Sequence, residues 1–569
     1  MNQGVRKNQR RILDYESLKQ EVIAQIGHIL HENPYESVRK PDALKGMLKF
    51  RRDLRIAMKN CVVGNYDAKL FIRDFMKEIL VVKLKVNEEL LDKIFRFRQS
   101  YLMTAQDKFA ILLYQYEKRY DKDALGMLIE QYHLGDKKIS EDGESYYEIS
   151  VEDINQAYQE EGCLLLNFVD KISIAAQKIY EDTKGNGPID MLFHMRLDGI
   201  SGGVSGHELS VSEFQVLDGQ EYSYQSIWIY YSGKSIHMSF LKFPSEKEFI
   251  RICKNIYRYR SPGQLSQVRG YMVNEMADGS RVAVARPPFS ENWVFFIRKF
   301  NSVVNKDMDK LLLEPNRHLP IRLIEWLIKG CQILAVTGEQ GSGKTTLLMS
   351  MVRFIKPTYN LRIQELAFEL HLKKLYPKRN IVSFRETTSV SGQEGLDFQK
   401  KTDGTVNILG EVASNAVCSW LIQMAQVASK FTIFTHHAKT TKDLVYSFRN
   451  ALLMDNGFQD ERIAMEQVVH VLNFDIHMRK AEDGHRYIER ISEIIVLEEN
   501  QEQSLQGKMF EVRDLLVYKE GKYQVSGIIS ERAQRRILAM LESDEKQEFL
   551  LFLHEWREQY GSSRCVDPA

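Results

Sequence analysis

In the first third of the chain the apolar residues recur every three to four positions. Leu18, Val22, Ile26, Ile29 and Leu30 share one helical face, which ends before Asn33 and Pro34. A second helical stretch starts near Pro41 and Asp42, and residues 71–97 and 101–132 keep the same period. The polar run from Gly135 to Ser150 predicts a loop. Ser150 and Asp153 have the spacing of a capping box, opening a helix that runs through Tyr180. From there the pattern shortens to alternation. Gly185 to Pro188 is a turn signal, and residues 226–231 and 235–240 alternate as two strands around a hairpin turn at 232–234. Residues 249–259 predict a helix; 281–285 and 293–300 predict strands. Beyond residue 310, short apolar runs at 333–336, 360–366, 380–385, 406–409 and 431–434 alternate with helical stretches, as in a parallel sheet built from βαβ units. The last stretch reads as a hairpin, 509–518 with 523–529, followed by helix. The expected organisation is therefore a helical region over 1–180, a small α+β domain over 185–300, a linker at 301–309, an α/β domain over 310–500, and a C-terminal hairpin and helices over 501–569.

One of these strands runs into a glycine-rich turn. After Ile333 to Val336 come Gly338, Glu339, Gln340, Gly341, Ser342 and Gly343, then Lys344, Thr345 and Thr346, which open a good helix. Strand, glycine loop and helix form the context that a G-x-x-x-x-G-K-[ST] match requires. The glycines let backbone N–H groups face a polyphosphate, and the helix N-terminus adds its positive dipole end. Lys344 can reach the β- and γ-phosphates and Thr345 can ligate Mg²⁺. The expectation is a nucleoside triphosphate site with ATP and Mg²⁺.

Composition narrows the rest. With 569 residues there is too much chain for one core. The 78 basic and 77 acidic residues cancel, so no global field recruits nucleic acid. The six cysteines contain no C-x-x-C pair, which fits a reducing compartment and no structural zinc. The basic first residues are followed by no apolar core of a signal peptide, and no run of apolar residues is long enough to span a bilayer. A cytoplasmic protein is expected, able to dock on a membrane complex through partners. The basic residues between Lys45 and Lys59 read as a solvated helix face.

Hydrolysis needs an acid that orients water and further positive charge at the γ-phosphate. Glu411 follows the apolar run at 406–409, and an acid at the carboxyl end of a sheet strand faces the ligand crevice. Glu365 and Glu369 place two carboxylates four residues apart after an extended stretch. His436 and His437 follow the strand at 431–434, so one of them can point at the crevice and sense the γ-phosphate; ligand spacing for zinc is absent around them. Arg281, Arg298 and Lys299 precede the linker and can reach a nucleotide held at a domain or subunit boundary.

In order and approximate spacing, the glycine loop, the acidic pair, the Gly410-Glu411 strand end and the stretch Thr435 to Ala438 resemble the type II/type IV secretion ATPase superfamily. The nearest branch is the CpaF family of Tad-type pilus assembly ATPases. Gly185 to Leu192, Asp278 to Val282, Pro287 with Pro288, Ile297 to Phe300, Gly484 to Arg486 and Ile491 to Glu493 are similar to stretches flanking that family's motor. The resemblance covers about residues 185–530. It implies a RecA-like P-loop domain. It also implies a homo-hexameric ring closing on nucleotide, and work through an inner-membrane platform protein. On the matching positions, Glu365 and Glu369 bound the acidic box, Glu411 is the Walker B glutamate that orients water, His437 is the histidine box, and Arg281 and Arg298 contact nucleotide.

Several positions depart from the pattern. Leu366 stands where the family has aspartate, Ala413 and Ser414 remove an arginine after the glutamate, and residues 427–431 replace a Thr-Gly-His segment. Loss of a charge that acts only in the transition state lowers kcat more than affinity. Two further readings follow: a nucleotide-binding ring subunit with little turnover, and a nucleic-acid motor of the same fold, which near-neutral charge disfavours.

Overall fold

The structure, a computed structural model, describes residues 14–32, 41–140, 143, 145–161, 166–205, 223–260, 262–299, 307–366, 368–387, 390–427, 429–455, 458–481, 483–497 and 508–564. The basic first residues and positions 301–306 of the expected linker lie outside these. The chain forms two compact units, Met1–Ser302 and Val303–Ala569.

The first unit begins with helices α1 (Tyr15–His31), α2 (Pro41–Asn60), α3 (Tyr66–Glu78), α4 (Glu88–Phe95), α5 (Ala105–Tyr120) and α6 (Ala124–Gln131). The stripe on α1 is buried through Leu18, Val22 and Ile26, and Asp14 with Ser17 closes its capping box. The basic face of α2 is not simply solvated. Arg51 is buried and its Nη1 donates to the Glu32 carbonyl at 2.6 Å, while Arg55 Nη2 donates to the Leu30 carbonyl at 3.0 Å. Both cations sit on carbonyls at the C-terminal end of α1, where the helix dipole favours positive charge. The single helix expected from 150 to 180 is two, α7 (Val151–Glu160) and α8 (Phe168–Thr183). Asn167 and Asp170 form a second capping box, and residues of these types stabilise a helix start better than a helix interior.

A seven-stranded sheet completes this unit: β1 (Glu148–Ile149), β2 (Gly199–Gly202), β3 (Ile227–Tyr231), β4 (Lys234–Met238), β5 (Tyr271–Glu275), β6 (Arg281–Ala285) and β7 (Val294–Arg298), in the order β1-β4-β3-β2-β7-β6-β5. The expected hairpin is β3–β4, turning at Ser232 and Gly233, both with positive φ. Helix α9 (Glu246–Ile256) buries Phe249, Ile252 and Ile256 in the core of this sheet.

The second unit is built on nine strands: β8 (Leu334–Gly338), β9 (Leu361–Glu365), β10 (Ile381–Arg385), β11 (Val406–Leu409), β12 (Phe431–His436), β13 (Phe474–Lys480), β14 (Arg486–Val496), β15 (Phe510–Lys519) and β16 (Lys522–Val525). Their order is β10-β9-β11-β12-β8-β13-β14-β15-β16. Strands β8 to β13 pair in parallel and the last three continue the sheet antiparallel. One strand, β12, stands between the glycine-loop strand and the strand leading to Glu411, and the unit is a RecA-like α/β domain. Successive residues serve opposite faces, as the pleat requires. Leu334 and Val336 join one core with helices α10 (His318–Lys329) and α11 (Lys344–Met351); Ala335 joins the other with α13 (Asn415–Val427), α14 (Thr441–Met454) and α15 (Glu461–Val471), and α12 (Gly392–Gln399) adds Leu396 to it.

The C-terminal hairpin and helices do not stand apart from this core. β15 and β16 extend the same sheet, and helices α16 (Glu531–Met540) and α17 (Ser543–Arg564) put Ile537, Phe549, Phe552 and Trp556 into the core beneath α10. Trp326 meets the Phe549 ring at 5.4 Å, and Trp556 Nε1 donates to the Gly527 carbonyl at 2.9 Å. No local period encodes the contact of Trp326 with Phe549, because the two lie 223 residues apart. Phe549→Ala is expected to destabilise the second unit by about 3–5 kcal/mol, read as a lower denaturant midpoint for that unit's transition in the full chain.

Candidate functional site

The glycine loop leaves the carboxyl end of β8, whose five residues are all buried. Gly338 has φ 136°, and a Cβ there would lie 2.2 Å from the Met478 carbonyl oxygen on the neighbouring strand. Gly341 and Gly343 have φ 78° and 94°, so the loop reaches α11 through backbone that side chains resist. Ser342 donates to the Glu339 carbonyl from both its N–H (3.3 Å) and its hydroxyl (2.8 Å), which tightens the turn and leaves Glu339 and Gln340 exposed at its tip. Lys344 is buried; its Nζ donates to the Gly338 carbonyl at 2.9 Å and the Glu339 carbonyl at 2.7 Å. Thr345 and Thr346 follow in the first turn of α11, half-buried.

Three of the expected residues come together here. Lys344 Nζ lies 3.4 Å from Nδ1 of His437, and Nε2 of the same ring lies 3.4 Å from Glu411 Oε1. An ammonium can only donate, so Nδ1 accepts and Nε2 carries the proton that faces the carboxylate. The His437 and Glu411 side chains are 46% and 38% exposed, open to water and to an incoming phosphate. Its neighbour His436 is structural: Nδ1 faces the Val412 carbonyl at 2.8 Å, Nε2 faces the Ser447 hydroxyl at 3.1 Å, and burial holds its pKa below the usual histidine value.

Glu365 sits differently. It ends β9 at 3% exposure, and its Oε1 accepts from the backbone N–H groups of Glu369 (2.8 Å) and Leu370 (2.7 Å). The two acids are thus not a parallel carboxylate pair: the backbone of Glu369 folds back onto Glu365. Burial pushes Glu365 up to about 7, the two amide bonds opposing it. Arg281 and Arg298 belong to the first unit, where they are register partners on β6 and β7.

A buried polar group that belongs to no sequence motif lies next to the loop. Asp475 on β13 is fully buried and accepts from the hydroxyls of Thr337 (2.6 Å) and Thr441 (2.7 Å). Thr337 immediately precedes Gly338, and Thr441 opens α14 four residues after His437. His477 Nδ1 lies 2.8 Å from the same Thr337 hydroxyl, and burial drops its pKa to about 4, so the ring is neutral. The glycine loop and the His437 segment are therefore tied to one carboxylate. The available signal was polar residues alternating with Phe474, Ile476 and Met478 inside an otherwise apolar strand.

No protein-family model and no curated protein matches the sequence. Solved structures similar to it include the VirB11 ATPase of the Brucella suis type IV secretion system in complex with sulphate, at 16% identity over 52% of this chain and 88% of that one with a TM-score of 0.28. The Legionella pneumophila ATPase DotB is similar at 14% identity over 64% and 84%, with a TM-score of 0.36. The pilus retraction motor PilT with bound ADP is similar at 13% identity over 63% and 86%, with a TM-score of 0.35. Similarity this low says nothing about what the present chain binds. Among the described residues no helix is long and apolar enough to cross a membrane.

The raised Glu365 carboxyl has a consequence for stability. Its contribution is present in full below its ordinary value of 4.5 and is lost as pH rises through about 7, because the folded state holds the proton more tightly than the unfolded chain. Glu365→Gln is expected to remove this fall. The difference in unfolding free energy between variant and wild type should grow, in the variant's favour, by on the order of 3 kcal/mol between about pH 5 and pH 8. Denaturant titrations at the two pH values measure it.

Proposed function

We propose that the chain is an ATP hydrolase whose glycine loop and the Lys344–His437–Glu411 cluster bind and turn over the nucleotide. It works in the cytoplasm as a homo-hexameric ring that drives a Tad-like pilus or a type II/IV secretion machine through an inner-membrane platform protein. The convergence of those three side chains at the carboxyl ends of β8, β11 and β12, beside the glycine loop, carries the reading. Ligand crevices of open α/β sheets lie at that edge.

The residues divide the work by position. Loop amides from Gly338 to Gly343 and the N-terminal dipole of α11 hold phosphate oxygens. Lys344 exchanges the Gly338 and Glu339 carbonyls for those oxygens, a trade of neutral acceptors for anionic ones. Glu411 orients the attacking water and takes its proton. His437 bridges the base to Lys344 and reads the γ-phosphate. Glu365 acts from beneath, holding the turn at 369–370, and is a positioning residue. A hydroxyl from Thr345 and the Glu411 carboxylate are the hard oxygen donors that suit Mg²⁺, and the ion would neutralise charge on the phosphates. Arg281 and Arg298 are the nucleotide contacts proposed for the first unit. The motor character and the membrane machine rest on the motif order in the sequence.

A second reading, a ring subunit that binds nucleotide with little turnover and acts as scaffold or regulator, is favoured by the exposed Leu366 and Ala413, where the family pattern carries charge. Steady-state phosphate release separates the two. Glu411→Gln is expected to keep nucleotide affinity and lower kcat at least about a hundredfold. Lys344→Ala is expected to lose binding as well. Wild-type release no faster than that of Lys344→Ala would leave only the scaffold reading.

A further inference from the structure

Helix α2 turns Arg51, Leu54 and Ala57 into the fold, and this fixes what its opposite side presents. At 3.6 residues per turn, Lys45, Leu48, Lys49, Arg55, Ile56 and Lys59 fall within about 60° of Arg52 around the helix. Every one of these positions is exposed, and the stripe holds five cations and no acid. From Lys45 to Lys59 it runs about 21 Å. Leu48 is 41% and Ile56 51% exposed. Each lies between cations three and four residues away, Leu48 between Lys45 and Arg52, Ile56 between Arg52 and Lys59. The acids of α2 stand at the edge. Asp42 is in the first turn, where the helix dipole favours it, and Asp53 Oδ1 lies 3.8 Å from Arg52 Nε. Arg55 donates to the Leu30 carbonyl. Among the described residues the ammonium groups of Lys45, Lys49 and Lys59 meet no acid. In a chain whose 78 basic and 77 acidic residues nearly cancel, this concentration of charge is local.

We propose that this face of α2 docks on an anionic lipid surface, with its cations among the headgroups and Leu48 and Ile56 reaching the boundary of the acyl layer. Charge complementarity requires an anionic occupant, and the residue types select a lipid surface over an acidic protein helix. The cations without partners are lysines, point charges on flexible stems, whereas carboxylates held in fixed register suit the planar fork of arginine. The two arginines of the stripe are the ones already engaged, by Asp53 and by the Leu30 carbonyl.

Lysine stems also lie along apolar neighbours while their ammonium groups stay in water, so Leu48 and Ile56 can enter the interface without stripping the charges beside them. Clusters of about four to eight cations on an amphipathic helix are enough to hold anionic lipid. A nucleic-acid backbone would satisfy the lysines and leave both apolar side chains with nothing to bury against, and the stripe has no aromatic residue on which a base could stack. The docking does not rest on the nucleotide site, and it is measured without nucleotide.

Co-sedimentation of the full chain with vesicles of phosphatidylcholine, alone or with about 30 mol % phosphatidylglycerol, tests the proposal. In about 0.1 M salt the anionic vesicles should bind at least about tenfold more tightly than the neutral ones, and the affinity should fall at least about tenfold in about 0.5 M salt. Replacing Lys45, Lys49 and Lys59 together by glutamine should weaken binding at least about tenfold. Replacing Lys137, Lys242 and Lys247, exposed lysines elsewhere in the same unit, changes the net charge equally and should leave binding near that of the wild type. Leu48→Ser with Ile56→Ser, which keeps every cation, should weaken it about tenfold. Thermal melts establish that the variants are folded; if one is not, the lipid and salt dependence of the wild-type chain still decides. The proposal is overturned if anionic vesicles bind no better than neutral ones, if the control triple variant loses as much as the stripe variant, or if the Leu48 and Ile56 pair can be replaced without effect. Binding to an acidic helical peptide or to duplex DNA, with none to vesicles, also overturns it and assigns the stripe to that partner.

Discussion

The carbonyl of Met478 occupies the space where a side chain at position 338 would have to go. Much of the second unit follows from that close approach. It fixes β13 against β8 in parallel register, and only glycine can then leave β8 there. The chain turns through Gly341 and Gly343 in left-handed backbone and delivers Lys344 to the first position of α11. β13 in turn is the strand from which β14, β15 and β16 continue the sheet, so the glycine loop and the C-terminal hairpin depend on the same strand.

That strand also carries Asp475. A fully buried carboxyl accepting from two hydroxyls is an expensive way to join two segments, and its pKa is raised by that burial. What it joins is specific: the residue before the glycine loop and the first residue of the helix that follows His437. A polar tie in a dry interior has few alternative partners, so it holds one geometry where apolar packing would tolerate several. Lys344, His437 and Glu411 come from three separate stretches, and their distances depend on such ties.

The first unit uses buried charge in another manner. Lys69 is paired with Asp190, while Arg51 and Arg55 each reach a carbonyl at the end of α1. Arg51 and Arg73 are only partly satisfied: Nε and Nη2 of Arg51 and Nε of Arg73 are buried with no hydrogen-bond partner among the described residues.

The amino-acid sequence alone determined what is local. Period-two and period-3.6 patterns placed the helices of the first unit, the hairpin β3–β4 and the parallel strands. The run of Gly338, Gly341, Gly343, Lys344 and Thr345 specified a glycine turn leading into a helix, because left-handed backbone and a helix N-terminus are properties of adjacent residues. Glu411 and His437 were legible from their places at strand ends. The break between α7 and α8 was missed, although Asn167 and Asp170 carried a capping signal. Other features were settled only by tertiary structure. Arg51 buries its charge because the carbonyls that receive it belong to another helix. Glu365 loses its solvent because the backbone at 369–370 closes over it. The C-terminal helices belong to the central core because Trp326, far back in the chain, packs against them. Asp475 has meaning only once Thr337 and Thr441 are beside it. In each case the deciding partner is distant in the chain, and burial, which sets both packing and charge state, arises only when those distant segments meet.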